Sequence, residues 1–296
     1  MPGVDASNFP KIIPFTKKWH NVPYPFISPT RPELSAAGRN VVVTGGGTGI
    51  GNAIAVAFAQ AGAKSVSILG RRLDRLQSGA ATISAVAASS ATQVFYEQAD
   101  LFSRDETARA LRSIVVKVGG TIDVMVSNAG PVMSDSFPTI SEATDEQLEF
   151  AFRGLVMTAA HAIQAFLPLA SPEAVLLSTN TCFAHWPAVA GGFGLYSLNR
   201  AAVLKLTDYV QAENPGLRVV SIQPGWVATE ANGYQTEATD AADLPGQFYV
   251  WLASQEAGFL KGKFVWSNWD AEELVERAEE IKSTTVLTTG LLGVDG

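Results

Sequence analysis

Apolar runs of strand length alternate with longer amphipathic stretches between residues 40 and 266. The runs are rich in Val, Ile and Leu and cover residues 40–44, 65–69, 93–97, 122–127, 174–178, 217–222 and 263–266. Between them, apolar positions recur at helical spacing, including 49–62, 104–117, 145–167 and 197–213. Strands that are apolar throughout are buried on both faces, so the alternation predicts a sheet covered by helices on each side. We predict one doubly wound α/β domain of seven mostly parallel strands in the order 3-2-1-4-5-6-7, with ligands at the strand carboxyl ends.

The first 38 residues follow neither pattern. Prolines, which fix the backbone and remove donors, alternate there with large aromatic side chains (Phe9, Pro10, Pro14, Phe15, Trp19, Pro23, Tyr24, Pro25, Phe26, Pro29, Pro32). So many apolar groups are unusual in a disordered leader, which is the alternative interpretation. We predict that residues 1–38 form an extended arm that lies across the folded domain, residues 39–296, or across a partner subunit.

Composition narrows the class of protein. The 296-residue chain is 47% hydrophobic, which is enough for a substantial buried core. Its net charge of -7 argues against a general affinity for nucleic acid or anionic membranes. One cysteine, Cys182, excludes an intrachain disulfide, and with three histidines it gives no expectation of a bound metal. No apolar run reaches the ~18 residues of a membrane span, and the N-terminus has no signal-peptide core. We expect a cytoplasmic protein.

A glycine-rich stretch, T-G-G-G-T-G-I-G at 44–51, follows the first strand and opens a helix. Glycines permit the tight turn and let a pyrophosphate approach the backbone and the N–H groups of the helix start. The alternative is a glycine-rich turn that binds nothing. We predict a dinucleotide site of the Rossmann type that involves Gly45, Gly47, Thr48, Gly49, Ile50 and Gly51.

Five motifs together resemble the short-chain dehydrogenase/reductases over residues 38–270. They are TGGGTGIG (44–51), AD before Leu101 (99–100), SNAG (127–130), YSLNR (196–200) and PGWVAT (224–229). The arm YPFISPTRPELS and the tail GKFVWSNWDAEEL resemble a fungal branch of that family. The resemblance implies that Asp100 and Leu101 border the adenine of a nicotinamide cofactor. It also implies contacts to the adenosine side and the sheet from Asn128, Ala129 and Gly130, and to the nicotinamide end from Pro224, Gly225, Val227 and Thr229.

The end of the second strand indicates which nicotinamide cofactor is used. A carboxylate there accepts a bond from the 2′-hydroxyl of NAD, but this chain has Arg71 and Arg72 instead. A guanidinium can form a bidentate pair with a 2′-phosphate. We therefore predict NADP(H), with two solvated residues at a helix start as the alternative.

The resemblance also assigns catalytic roles. The family uses a tyrosine as general acid and base, with a lysine four residues later that holds the nicotinamide ribose. Tyr196 matches the tyrosine, and Arg200 stands in the lysine position on the same helix face. A guanidinium keeps the charge and the ribose bond, but it does not pass protons as an ammonium can. We interpret the pair as a modified acid catalyst.

Two further positions depart from the family pattern. The family's serine ends the fifth strand, where this chain offers Thr179 first, Thr181 second and Ser178 third as hydroxyl donors. All three could instead be strand-end residues bonded to backbone. The family's asparagine appears as N-x-x-G, and F-A-F-R-G at 150–154 puts Ala151 there, which cannot hold a water.

The remaining candidates line the expected substrate pocket. Phe183 stands thirteen residues before Tyr196, the usual spacing of the family's serine. His185 lies in the same loop and could replace a proton donor or be structural. Trp226 follows a Pro-Gly turn and is expected in the pocket wall. The polar, acidic stretch 230–247 is expected to be a substrate lid.

Three functions are compatible with these residues. The first is an enzyme, an NADPH-dependent oxidoreductase that reduces a carbonyl or an imine/iminium of a small, secondary-metabolite substrate in biosynthesis. The second is a redox-neutral or shape-controlled catalyst of isomerase or cyclase type. The third is a non-catalytic NADP-binding protein. The family resemblance further implies a homodimer or homotetramer formed through helices 145–167 and 197–213.

Overall fold

Seven parallel strands form one sheet in the order β3-β2-β1-β4-β5-β6-β7. The computed structural model describes residues 14–87, 91–131, 138–188 and 192–291. All six strand pairs are parallel, which confirms the predicted fold class and strand order. The strands are β1 Asn40–Thr44, β2 Ser65–Gly70, β3 Gln93–Gln98, β4 Ile122–Ser127, β5 Ala170–Thr179, β6 Arg218–Gln223 and β7 Lys263–Trp266.

Helices cover both faces of the sheet. On one face, α1 packs between α2 and α7, and Phe58, Phe248 and Trp251 are fully buried there. On the other face α3 packs against α5, where Leu111 and Phe166 are fully buried. The helices are α1 Gly49–Gln60, α2 Leu73–Ala87, α3 Arg104–Val118, α4 Asp145–Ala151, α5 Thr158–Phe166, α6 Gly194–Glu213, α7 Asp243–Ala253, α8 Ala271–Glu276 and α9 Ala278–Ser283.

A π-helical turn, Phe152–Met157, joins α4 to α5. Single π turns inside α-helices are frequent at functional sites, and this one directly follows Ala151. The whole helical run Asp145–Leu169 is long and apolar enough to cross a membrane by length and composition alone. The expectation that no apolar segment reaches that length was therefore wrong. Half of its most apolar window is buried inside the domain, which a core helix also shows.

The described part of the arm, residues 14–38, packs against the domain. Ile27 and Leu34 belong to the buried core. The Tyr24 hydroxyl donates to the Trp269 carbonyl at 3.1 Å and accepts from the Ala271 N–H at 2.7 Å. Residues 1–13 of the predicted arm lie outside the described residues. The arm thus contacts the chain near β7 and α8.

Candidate active site

The glycine-rich loop between β1 and α1 leaves little room for side chains at its glycine positions. Gly45 has a φ of +67°, and a Cβ there would lie 3.1 Å from the Ala129 Cα. A Cβ at Gly51 would lie 2.4 Å from the Gly45 carbonyl oxygen. Thr48 occupies the N-cap of α1 without a capping bond from its side chain. The start of α1 therefore offers backbone N–H groups and a positive dipole end to an anion.

Asn128 connects three strand ends beneath this loop. The Thr44 hydroxyl accepts the N–H bonds of Asn128 at 2.9 Å and Ala129 at 3.0 Å. The Asn128 Nδ2 donates to the Thr44 carbonyl at 3.1 Å, and its Oδ1 accepts from the Thr179 hydroxyl at 3.2 Å. The S-N-A-G motif thus ties β1, β4 and β5 together at the floor of the site.

Two arginines follow β2 in different surroundings. Arg72 binds both carboxylate oxygens of Glu230 through its two terminal nitrogens, and Arg75 lies 3.9 Å from the same carboxylate. This pairing lowers the pKa of Glu230 and raises that of Arg72. Arg71 instead stacks over Phe102, with 5.4 Å from Cζ to the ring centre. It lines an open pocket together with Gln98, Asp100, Glu106 and Arg109.

Asp100 and Leu101, which are predicted to border the adenine, are fixed by hydrogen bonds to neighbouring residues. The Asp100 N–H donates to the Glu106 carboxylate at 2.9 Å, and the Asp100 Oδ1 accepts from the Phe102 N–H at 3.1 Å. Leu101 is buried, and its carbonyl bonds the His161 Nδ1 at 3.0 Å. His161 is therefore a packed residue of α5.

Tyr196 and Arg200 lie side by side on α6. The Arg200 Cζ is 5.3 Å from the centre of the Tyr196 ring. The Arg200 Nη1 donates to the Thr179 carbonyl at 3.1 Å, and a Cβ at Gly130 would lie 3.2 Å from Nη2. The Nε is buried and has no hydrogen-bond partner among the described residues. Because buried donors are rarely left unpaired, this nitrogen marks a place for an acceptor.

The Thr179 hydroxyl is already engaged. It donates to Asn128 and lies 2.8 Å from the Tyr249 hydroxyl. Since a hydroxyl has one hydrogen, Tyr249 must be the donor in that second bond. Tyr249 is fully buried on α7, and burial raises its pKa, although the Thr179 bond and the Arg200 charge oppose the shift. The chain of bonds runs from Tyr249 through Thr179 to Asn128.

The other predicted hydroxyls are also buried. The Thr181 hydroxyl accepts a long bond from the Phe183 N–H at 3.4 Å. The Ser178 hydroxyl has no hydrogen-bond partner among the described residues. Next to Thr181, burial raises the pKa of the Cys182 thiol to about 12, which makes it a poor nucleophile.

Aromatic side chains form a wall next to Tyr196. The Phe183 ring stacks on Phe193 at 4.6 Å. It meets the Trp186 and Tyr196 rings edge to face at 5.8 Å and 6.0 Å. The predicted pocket residue Phe183 therefore contacts the predicted acid. A flat or apolar substrate portion would be compatible with this wall.

His185 lies in the same loop as Phe183, and its ring packs against β7. Its ring centre is 4.7 Å from that of Phe264, and its Nε2 accepts from the Trp266 Nε1 at 3.3 Å. Desolvation lowers the pKa of His185. A neutral imidazole that accepts at Nε2 carries its hydrogen on Nδ1. These contacts are those of a packing residue.

Trp226 and the predicted lid are linked by backbone and side-chain bonds. The Trp226 indole N–H donates to Gln235 at 2.8 Å, and Val227 pairs with Asp240 in an isolated parallel bridge. A Cβ at Gly49 would lie 3.1 Å from the Thr229 Cγ2, so the segment after β6 meets the glycine-rich loop. The predicted lid 230–247 is not one loop, because α7 begins at Asp243.

These loops meet at the carboxyl ends of parallel strands, where doubly wound domains bind ligands. The sequence profile of the family described as short chain dehydrogenase matches residues 39–240. The chain belongs to the short-chain dehydrogenase family. This is a family of oxidoreductases, as the motifs suggested.

Two curated relatives of this short-chain dehydrogenase are fungal proteins. A short chain dehydrogenase/reductase of Claviceps purpurea is 30% identical over 297 residues, covering 97% of this chain and 98% of that protein. The short chain dehydrogenase mpl6 of Monascus purpureus is 32% identical over 286 residues, covering 92% and 95%.

Solved structures share the fold at lower identity. A short chain dehydrogenase from Burkholderia cenocepacia in complex with NADP is 24% identical, with a TM-score of 0.69 over 80% of this chain and 99% of that chain. The short-chain dehydrogenase/reductase of Serratia marcescens is 23% identical, with a TM-score of 0.70 over 78% and 96%.

Sequence reasoning missed several polar residues that bond to the predicted site residues or to the partners of those residues. Tyr249 lies inside the apolar run F-Y-V-W-L-A, where only its hydroxyl distinguishes it from a core residue. Glu230 and Asp240 were visible only as part of an acidic lid. Asn21, in the arm, carried no sequence signal for a role near the site.

Proposed function

We propose that this chain is an NADPH-dependent oxidoreductase that reduces a carbonyl or an imine/iminium of a small organic substrate in fungal secondary metabolism. One observation carries the proposal: Arg200 lies beside the Tyr196 ring, and its buried Nε has no partner among the described residues. Family membership supports an oxidoreductase, and the fungal relatives support the biological setting.

The residues present fit a dinucleotide. The uncapped start of α1 suits the pyrophosphate, and the Arg200 Nε suits a ribose hydroxyl. Arg71 and Arg72 suit a 2′-phosphate, and the Burkholderia protein was solved in complex with NADP. When bound, NADPH would supply the hydride. Asp100, Asn128, Val227 and Thr229 remain the proposed contacts along the rest of the cofactor.

Tyr196 is the proposed general acid. It would donate its phenolic proton to the carbonyl oxygen, while Arg200 holds the ribose and the charge beside it. The Thr179 hydroxyl, the first choice for polarising the carbonyl, donates to Asn128. Ala151 is apolar and 1% exposed, so it provides no hydrogen bond for a relay water. We therefore propose a site that departs from the family tetrad at the lysine, asparagine and serine positions.

These departures favour an iminium over a ketone. Hydride delivery to a cationic carbon–nitrogen double bond leaves no oxygen that must be protonated. The site would then need Tyr196 and Arg200 for orientation and charge rather than for repeated proton supply. A redox-neutral step, of isomerase or cyclase type, is the second candidate, and the engaged Thr179 hydroxyl favours it over ketone reduction.

The test is a substrate panel with purified protein. NADPH oxidation is followed at 340 nm with ketones, imines and preformed iminium salts, each with the unmutated protein and with Tyr196→Phe. The proposal expects NADPH consumption that is fastest with an iminium. Conversion of a panel member without NADPH consumption would support the redox-neutral alternative. Absence of NADPH binding by calorimetry would contradict the proposed reductase function.

We also propose that the protein is a homodimer or homotetramer through α4–α5 and α6. Large apolar side chains are exposed on these helices, with Phe150 47%, Phe152 48%, Leu198 59% and Tyr209 61% accessible. Leu198→Glu should then shift the sedimentation coefficient to that of a monomer. Val116→Glu, at a residue 80% exposed on α3, is the matched control and should leave assembly unchanged.

A further inference from the structure

Asp240 is the point at which the segment after β6, the lid and the N-terminal arm are joined. Its Oδ2 accepts from the Trp226 N–H at 2.6 Å, and its own N–H donates to the Trp226 carbonyl at 3.1 Å. Its Oδ1 accepts from the Asn21 Nδ2 at 2.5 Å. One carboxylate therefore binds the loop that carries Trp226 with one oxygen and the arm with the other.

Asn21 holds the lid through its backbone as well. Its carbonyl accepts from the Ala241 N–H at 2.8 Å, directly after Asp240. The arm itself is fixed just before this residue. The His20 N–H donates to the Asn268 carbonyl at 2.8 Å, and the Asn268 Nδ2 donates back to the His20 carbonyl at 2.9 Å. Asn21 thus connects the lid to the segment that follows β7.

The Asp240 carboxylate also contacts the turn that precedes Trp226, and this turn has a left-handed backbone conformation. Gly225 has a φ of +96°, and a Cβ there would lie 2.6 Å from the Asp240 Oδ2. The left-handed turn is thus packed directly under the carboxylate. The Trp226 side chain is 40% exposed and is held by the lid residue Gln235. Movement of Asp240 would release the turn at Gly225 and the Trp226 backbone from which the indole projects.

We propose that Asn21 of the N-terminal arm is a positioning residue for the substrate site, acting through Asp240 on Trp226 and the lid. The expected effect on catalysis rests on the proposed function. The coupling of Asn21 to Asp240 and to the segment that carries Trp226 can be measured without turnover. The N-terminal arm would then help to shape the substrate site. Its loss should affect substrate binding more than NADPH binding. Asp240 bonds Trp226, a proposed pocket residue, and among the described residues it reaches the proposed cofactor contacts only at Gly225 and Val227. The other proposed NADPH contacts, at the start of α1, Arg71 and Arg200, belong to different segments.

The amide and carboxylate chemistry allows a rescue experiment. Asn21→Ala removes the donor to Asp240 and leaves the backbone bond to Ala241. Asn21→Asp sets two carboxylates against each other, which is more damaging than loss of the bond. The double variant Asn21→Asp with Asp240→Asn restores one amide and one carboxylate, with the direction of the hydrogen bond reversed. The amide oxygen of that variant can still accept from the Trp226 N–H.

The first readout is amide hydrogen exchange in peptides that cover residues 225–241. We expect exchange about tenfold faster or more in Asn21→Ala and faster still in Asn21→Asp, with recovery in the double variant. Val22→Ala, at the neighbouring residue whose side chain is 60% exposed, is the control and should match the unmutated protein. Equal exchange in all variants, or no recovery in the double variant, would overturn the proposal.

The second readout separates this inference from the proposed function. With any panel substrate, Asn21→Ala should raise KM several-fold with little change in the NADPH dissociation constant, and the double variant should restore KM. A change in NADPH affinity of the same size as the change in KM would contradict a role at the substrate site. Absence of all turnover in the unmutated protein, with the exchange pattern as expected, would refute the proposed function and leave the positioning role standing.

Discussion

Arg72 and Glu230 form a two-pronged ion pair that joins the end of β2 to the first turn after the P-G-W-V-A-T segment. The sequence assigned Arg72 to the 2′-phosphate of NADP. The Glu230 carboxylate, like a phosphate, is an oxyanion that accepts two hydrogen bonds from a guanidinium. It occupies the two terminal nitrogens of Arg72 that a 2′-phosphate would need. NADPH would therefore compete with Glu230 for Arg72, whereas Arg71 faces an open pocket.

Glu230→Gln should tighten NADPH binding, because it removes the competing carboxylate and keeps the shape of the side chain. The pair is solvent-exposed, and exposed ion pairs contribute little, so the gain should be about two- to fivefold. Isothermal titration with NADPH measures it, and NADH affinity serves as the control. Weaker NADPH binding in the variant would show that Glu230 helps to hold the cofactor site.

Arg71→Ala and Arg72→Ala should each weaken NADPH binding and leave NADH binding unchanged. A charged bond to phosphate contributes about 1.5–3 kcal/mol, which corresponds to roughly ten- to a hundredfold in affinity. Arg71→Ala should show the larger loss, since Arg72 must first release Glu230. Fluorescence titration with both nucleotides decides the matter. Equal affinity of the unmutated protein for NAD(H) and NADP(H) would refute the NADP assignment.

Arg200→Lys combined with Ala151→Asn should raise turnover on simple ketones, because it restores the family's proton relay. General acid catalysis contributes about 10²–10⁴-fold, so the gain should be at least tenfold, and Tyr196→Phe should abolish turnover. Initial rates at saturating NADPH measure both effects. If the unmutated protein reduces ketones rapidly and the double variant is slower, arginine is the adapted residue and the site is not impaired.

Ile27→Ala should destabilise the domain although the residue lies in the arm. Ile27 is fully buried in the core, and truncation of such a residue costs about 2–5 kcal/mol in the free energy of unfolding. Urea denaturation gives the value, and Val22→Ala should stay within about 0.5 kcal/mol. A negligible effect of Ile27→Ala would mean that the arm is not docked in solution.

His185 should make the stability of the protein fall in mild acid. Its pKa is lowered in the folded state, so its neutral form is favoured there and the contribution is complete above the ordinary value of about 6.5. The contribution is lost as the pH falls through the folded-state value. His185→Gln keeps an acceptor for Trp266 but does not titrate. The Tm advantage of the unmutated protein over this variant should therefore shrink as the pH is lowered below about 6.5, and a constant difference would contradict the assignment.

The apolar pattern determined that seven strands form a mostly parallel sheet, because a strand buried on both faces must be apolar throughout and parallel neighbours need helical crossovers. The strand order came from the doubly wound fold that the glycine-rich loop and the family motifs imply. The observed boundaries of some strands and helices differ from the predicted ones. β5 begins at Ala170 rather than at residue 174, since the polar segment before Ala174 extends the strand past a register shift beside Ile122. α6 begins three residues early, at Gly194.

The motifs also determined which residues stand at the strand ends, including the pair Tyr196 and Arg200, whose i and i+4 spacing places them together on any helix. The tertiary structure decided the partners of these residues. Thr179 bonds Tyr249, Arg72 binds Glu230, and Asn21 binds Asp240, across 70, 158 and 219 positions of the chain. Such bonds depend on how packed segments approach one another. Periodicity and local motifs describe one segment at a time, and therefore do not contain them.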